Sequence, residues 1–260
     1  MVHKFITKRS IWLGCLSVIF SLNFHYVSAQ KPPTEFYISI DKDKKSFLSK
    51  AEISIQDYHE MMWFVKEKFG NNSEEYKFLI PDTVAFKELY GFPFFYRKEG
   101  VRYRLAESKI ADFICDLQGK FPMVAISYEQ AIAYCKWMET SMNQRNNTSN
   151  ARYTFQCSLP EKADYETAIN HRKTKITQKP PLYFLRKNCK KHCRKTKDGS
   201  ACLISCRYPA IFGLTDNVAE YIQDGMIVEG GTNTALKFVT AKECENPIGF
   251  RIKVVRISKK

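Results

Sequence analysis

The start of the chain decides in which compartment the rest must fold. Lys4, Lys8 and Arg9 form a basic opening, Ile11 to Phe24 is mostly apolar and uncharged, and Val27-Ser28-Ala29 sets small residues just before Gln30. Basic region, apolar run and small-residue site, in that order, are the pattern of a cleaved secretory signal. The apolar run is short for a membrane span; an uncleaved N-terminal anchor is the alternative. Gly14-Cys15 does not read as a lipoprotein site, because Trp12 stands where a Leu-like residue is wanted and most of the apolar run follows the Cys. Residues 1–29 are therefore expected to be a signal peptide. Residues 30–260 are expected to fold in the periplasm, in the outer envelope or as a secreted protein. No later segment is an uncharged apolar run of span length, so no transmembrane segment is expected in the mature chain.

Export puts the cysteines in an oxidising compartment, where pairing is the default. Of nine Cys, eight remain once Cys15 leaves with the signal. Four are grouped as Cys189-x3-Cys193 and Cys202-x3-Cys206, with Asp198-Gly199-Ser200 as a turn signal between them. Three intervening residues place each pair on one helical face. Two antiparallel helices would then allow nested bridges, Cys189 to Cys206 and Cys193 to Cys202. Zinc is a competing reading, since Cys189, His192, Cys193, Cys202 and Cys206 offer enough thiolate and imidazole; free thiols are a third. Cys115, Cys135 and Cys157 sit in apolar contexts that predict burial. Cys115 or Cys244 has the option of pairing elsewhere.

Charge singles out the same region. Without the signal the chain holds 38 basic against 27 acidic residues, and eleven of the basic ones lie between His171 and Lys197 with no acid among them. The remainder is balanced. The basicity thus belongs to residues 171–207, an insertion that is either a solvated appendage or a patch for an envelope protein or an anionic surface ligand. Nucleic acid is not an expected partner of an exported chain. Hydrophobic residues make up 44% of the whole and aromatics 14%, enough for a sizeable core and against long disorder.

Hydrophobic periodicity predicts a helix over Ile53 to Phe69, with Ser54 and Asp57 as a capping box and Ile55, Tyr58, Met62, Val65 and Phe69 on its core face. Residues 81 to 107, broken by Pro81, Gly91, Pro93 and Gly100, read as loops and short strands. Ser127 and Gln130 cap a second helix with Tyr128, Ala131, Ile132, Cys135 and Met138 as its apolar stripe. Asn143 to Asn150 reads as a polar loop, and Pro160 suits the start of a third helix through about Asn170. Strands are expected at Met226 to Val228 and at Phe250 to Ile257, where Phe250, Ile252 and Val254 alternate with Arg251 and Lys253. Early helices, a loop-rich middle and late strands describe an irregular α+β domain.

Six segments, in order, resemble the formylglycine-generating-enzyme or sulfatase-modifying-factor family. Glu52-Ile53-Ser54-Ile55-Gln56-Asp57-Tyr58 is similar to E-V-T-N-x-x-Y. Phe121 to Ala131, with Tyr134-Cys135-Lys136-Trp137, is similar to P-V-x-x-V-S-W-x-x-A followed by Y-C-x-W. Leu159 to Glu166 resembles L-P-T-E-A-E-W-E, Asn217 to Tyr221 resembles G-N-V-W-E-W, Glu229 to Thr232 resembles R-G-G-S, and Ile248 to Arg251 resembles the closing G-F-R. The resemblance implies a C-type-lectin-like α+β fold with little regular structure. The quoted residues also make sense as scaffold. Trp137, Tyr165 and Tyr221 fill a loop-rich core and offer a polar end, Gly249 permits close packing, and Glu220 is expected to bond backbone amides.

The departures bear on function. The resemblance implies that catalytic members hold copper with paired cysteines shortly after R-G-G-S. Here Thr232 to Lys242 contains no Cys, Cys244 stands alone, Lys237 and Thr240 are poor copper ligands, and Glu229 and Asp216 replace the family's Arg and Gly. Asp216 and Asn217 offer too few oxygens for the calcium some relatives bind. No cofactor, metal site or catalytic residue is therefore expected; the residues expected to carry chemistry are the disulfide-forming Cys189, Cys193, Cys202 and Cys206. The expected function is non-catalytic binding or assembly in the bacterial cell envelope, as in the gliding-motility and type IX secretion lipoproteins that carry domains of this kind. An oxidoreductase with a relocated cysteine site and a carbohydrate- or ligand-binding lectin-like module are the rivals. His59, His171 and His192 are too scattered to suggest a triad.

Overall fold

Ser54 begins the first helix in the way its spacing from Asp57 predicts. The computed structural model describes residues 36–41, 43, 45–90, 93–95, 97–98, 103–104, 119, 121–147, 152–170, 211, 214, 218–230 and 236–259. In helix α1 (Ile55–Phe69) the Asp57 N–H donates to Ser54 Oγ at 3.2 Å, and the Ser54 N–H donates to the Asp57 carboxylate at 3.1 Å. Gly70, at a φ of 89°, stops it. Ile55, Tyr58 and Met62 are buried as expected and Val65 packs on the core, but Phe69 is 37% exposed, because the last turn of the helix has left the core. A short helix α2 (Glu74–Phe78), capped by Ser73, follows.

Residues 81 to 107 need a correction. They contain helix α3 (Thr83–Tyr90) before the short strands β3 (Arg97–Lys98) and β4 (Tyr103–Arg104). Asp82 starts α3 by accepting the N–H groups of Val84 and Ala85, each at 3.0 Å. Pro81 precedes that cap, so it marks a helix start where it reads as loop punctuation. Helix α4 (Tyr128–Arg145) has the predicted Ser127–Gln130 capping box, with Ala131 and Cys135 buried and Tyr128, Ile132 and Met138 packed on the core. It continues through Asn143, which the sequence places in a loop. Helix α5 (Lys162–Asn170) follows Pro160 as expected.

Strands are not confined to the end of the chain. One antiparallel sheet has the order β1 (Tyr37–Ser39), β2 (Ser46–Ser49), β10 (Lys253–Ser258), β5 (Tyr153–Ser158). The early strands escape a periodicity reading because both sheet faces are covered. Phe47 belongs to the larger core with Tyr58, Met62 and Tyr134, whereas Leu48 belongs to a smaller one with Tyr165, Ala168 and Val228. No apolar–polar alternation survives in such a strand. The second sheet has the order β8 (Leu236–Val239), β7 (Ile227–Gly230), β6 (Ala219–Tyr221), β9 (Ile248–Gly249), with β6 and β9 parallel. The strand expected from Phe250 therefore starts at Lys253, since Phe250 to Ile252 is the crossing from one sheet to the other.

Helix α4 also covers the outer edge of β5. Asn143 donates to Phe155 O at 2.7 Å and accepts from Phe155 N at 2.8 Å. Glu139 accepts from Cys157 N at 2.9 Å, and Asn146 donates to Tyr153 O at 2.7 Å. A side-chain ladder thus occupies an edge that would otherwise pair with another chain. The result is a mixed α+β arrangement. Among the described residues no helix is long and apolar enough to cross a membrane.

Candidate functional site

Strands β7 and β8 bring Glu229 opposite Lys237, and the turn after β8 returns Cys244 and Asn246 to the same place. The Cys244 thiol donates to Glu229 Oε1 at 3.0 Å and Asn246 Nδ2 donates to the same oxygen at 2.9 Å. Lys237 Nζ lies 3.8 Å from Oε2. These hydrogen bonds, from Cys244 first and then Asn246, hold the Glu229 carboxyl below the usual carboxylate range. Burial first, and then the Glu229 bond, both raise the thiol, which is pushed up to about 11. At neutral pH the pair is a carboxylate and a protonated thiol, the reverse of an activated nucleophile.

The donor set does not fit the copper of the family's enzymes. It holds one protonated thiol, one carboxylate committed to three donors and one neutral amide, where soft copper calls for paired thiolates. Among the described residues no group of three or more His, Cys, Asp or Glu is placed to hold a metal ion. Gly231 and Thr232 lie outside the described residues, as do Cys115, Asp216, Asn217, His171 and His192. The same holds for Cys189, Cys193, Cys202 and Cys206, and so for the whole of residues 171–207 except what the sequence says of them. Cys135 and Cys157 are buried, as expected, and are free thiols; Cys244 is half-buried and also free.

Glu220 is the largest departure at a singled-out residue. It was expected to bond backbone amides, but its carboxylate takes Arg251 Nε and Nη2, each at 2.6 Å, and the Tyr165 hydroxyl at 2.5 Å. Arg251 Nη1 also donates to Ser49 O at 3.2 Å. Arg251 is 0% exposed, although alternation with Phe250 and Ile252 places it on a polar face. The signal that identifies this pair is two opposite charges each set between apolar neighbours, Ala219-Glu220-Tyr221 and Phe250-Arg251-Ile252. Burial acts to lower the Arg251 pKa, yet Glu220 outweighs it and the pKa is raised; burial and then Glu220 raise that of Tyr165. Arg251 stays charged and Tyr165 stays protonated, which suits a structural role better than proton transfer.

The segments quoted for the resemblance meet around this pair. Ile53 N donates to Phe250 O and Met123 N to Ile53 O, both at 2.8 Å, and Tyr221 Oη donates to Ile126 O at 3.1 Å. Gln223 N donates to Pro160 O at 2.9 Å. A Cβ on Gly249 would stand 2.9 Å from Met123 O, so only glycine lets these segments approach. Trp137 and Tyr165 sit as core aromatics, Trp137 with its ring centroid 5.4 Å from that of Tyr134. Fold and site together define a mixed α+β arrangement packed around the buried Arg251–Glu220 pair, with a carboxylate–thiol pair beside its second sheet. Compared with protein-family models, with curated proteins and with solved structures, the chain gives no match.

Proposed function

We propose that the chain is an exported, non-catalytic binding or assembly protein of the bacterial cell envelope. In this reading it is built on a sulfatase-modifying-factor-like domain with a C-type-lectin-like fold, and an envelope protein or anionic surface ligand is met by the basic insertion at 171–207. The reading of the fold is supported by the mutual packing of the quoted segments, which serve as scaffold. The observation that carries the non-catalytic reading is the half-buried Cys244 thiol bonded to Glu229 at 3.0 Å; its burial, and then that bond, keep the lone thiol of that region protonated. A protonated thiol without a second cysteine beside it is a poor ligand for soft metal and a poor nucleophile.

Two measurements test it. Protein exported from a bacterial host is expected to begin at or near Gln30 by N-terminal sequencing. Incubated with Cu(I), oxygen and a sulfatase-type cysteine peptide, it is expected to yield no formylglycine by mass spectrometry. Turnover that disappears in Cys244→Ser would establish the oxidoreductase reading instead.

A further inference from the structure

The face where α4 meets the start of β5 holds a groove of about 390 Å³, within the roughly 300–1,000 Å³ of small-molecule sites. Four carboxamides line it, Asn143, Gln144, Asn146 and Asn147, together with the hydroxyls of Thr140 and Thr154 and the Tyr153 side chain. Its ionisable lining pairs one carboxylate, Glu139, with one ammonium, Lys259. Asn146 is the buried member of the set, 3% exposed. Its Nδ2 bonds Tyr153 O, while its Oδ1 is buried without a hydrogen-bond partner among the described residues. That oxygen has essentially no exposed surface, so Asn146 shapes the groove from beneath and the exposed side chains beside it are the ones a ligand can meet.

The chemistry of the lining selects the ligand. Carboxamides and hydroxyls each offer donors and acceptors, which is what a sugar hydroxyl needs, since it also does both. A phosphate or sulfate would find one lysine and meet the Glu139 carboxylate. An apolar ligand would desolvate the exposed Gln144 and Asn147 amides with nothing in return. The scaffold beneath is fixed, because Asn143 and Glu139 are already bonded to the β5 backbone and Asn146 to Tyr153. Gln144, Asn147 and Lys259 are exposed at the rim, free to reach a bound molecule.

We infer that this groove binds a neutral oligosaccharide, with Gln144, Asn147 and Thr140 contacting its hydroxyls. The site is remote in chemistry from Cys244, so formylglycine turnover would overturn the function proposed above and leave this inference standing. Saturation-transfer NMR on the full chain tests it, with maltose, cellobiose, lactose and N,N′-diacetylchitobiose as neutral probes and a sulfated disaccharide as the charged one. At least one neutral disaccharide is expected to receive saturation, and its affinity is expected to fall roughly tenfold or more in Gln144→Ala/Asn147→Ala. Both residues are exposed, so the thermal midpoint of that variant should match the parent; Thr140→Val repeats the test with one hydroxyl removed. No transfer to any neutral probe, transfer to the sulfated sugar alone, or affinity unchanged in all the variants would overturn the assignment.

Discussion

Arg251 grips Glu220 through two 2.6 Å bonds at the point where the chain passes from one sheet to the other. Glu220 lies on β6 of the second sheet, and Arg251 reaches from there to Ser49 O on β2 of the first. The Tyr165 hydroxyl brings α5 into the same knot. A charge pair in this position ties the two sheets together, because each charge loses its closest partner if the other is removed and water is not there to replace it.

Breaking one side of that pair is expected to destabilise severely. Arg251→Met leaves a buried carboxylate and should lose about 3–5 kcal/mol in urea unfolding. The double variant Arg251→Met/Glu220→Gln removes both charges and should lose less than the sum of its single variants. Additive losses would show that the two residues act independently.

His59 makes stability depend on pH. It is 5% exposed and stacks on Phe94 with ring centroids 4.2 Å apart. Burial lowers its pKa from 6.5 to about 3, only partly opposed by its bond to the Phe94 backbone. Between those values the unfolded chain binds the proton and the folded one does not. The contribution is therefore full above about pH 6.5 and is lost as pH falls toward 3, by at most about 1.4 kcal/mol per pH unit. Urea titrations from neutral to acid pH should show a shallower decline for His59→Phe than for the parent. Parallel curves would remove His59 from the account.

The Glu229 carboxylate is expected to quiet Cys244. With the thiol pushed up to about 11, alkylation by iodoacetamide near neutral pH should be slow. Glu229→Gln removes the negative partner, lowers the thiol pKa and should speed alkylation of the Cys244 peptide, followed by mass spectrometry. An unchanged rate would mean that burial alone sets the reactivity.

The cysteine insertion is expected to carry nested bridges, Cys189–Cys206 and Cys193–Cys202. Antiparallel helices joined across Asp198-Gly199-Ser200 would bring outer with outer and inner with inner to the roughly 4.4–6.8 Å that a bridge requires between Cα atoms. Closing the inner loop would contribute on the order of 2–4 kcal/mol to that local unit. Peptide mapping without reduction checks the pairing. Four free thiols with one bound zinc would make the insertion metal-organised.

Local signals in the sequence determined the two helices that open on a capping box. Ser54 with Asp57 and Ser127 with Gln130 are neighbours in sequence, so the bonds that start α1 and α4 are written within four residues. The apolar positions Ile55, Tyr58 and Met62 follow at helical spacing. Burial of Cys135 and Cys157 and the tight packing of Gly249 were legible for the same reason, each resting on the character of its immediate neighbours. Helix α3 was hidden because Pro81 and Gly91 bracket it and read as breakers, when Pro81 stands just ahead of its Asp82 cap. Strands β1 and β2 were hidden because Phe47 and Leu48 serve opposite cores. The partnership of Glu220 with Arg251 joins residues 31 positions apart, and that of Arg251 with Ser49 joins residues 202 apart. Such contacts depend on how sheets and helices are stacked, which no local spacing encodes. The groove between α4 and β5 arises likewise, since Asn143 and Asn146 become an edge cover only when the tertiary fold lays that helix against that strand.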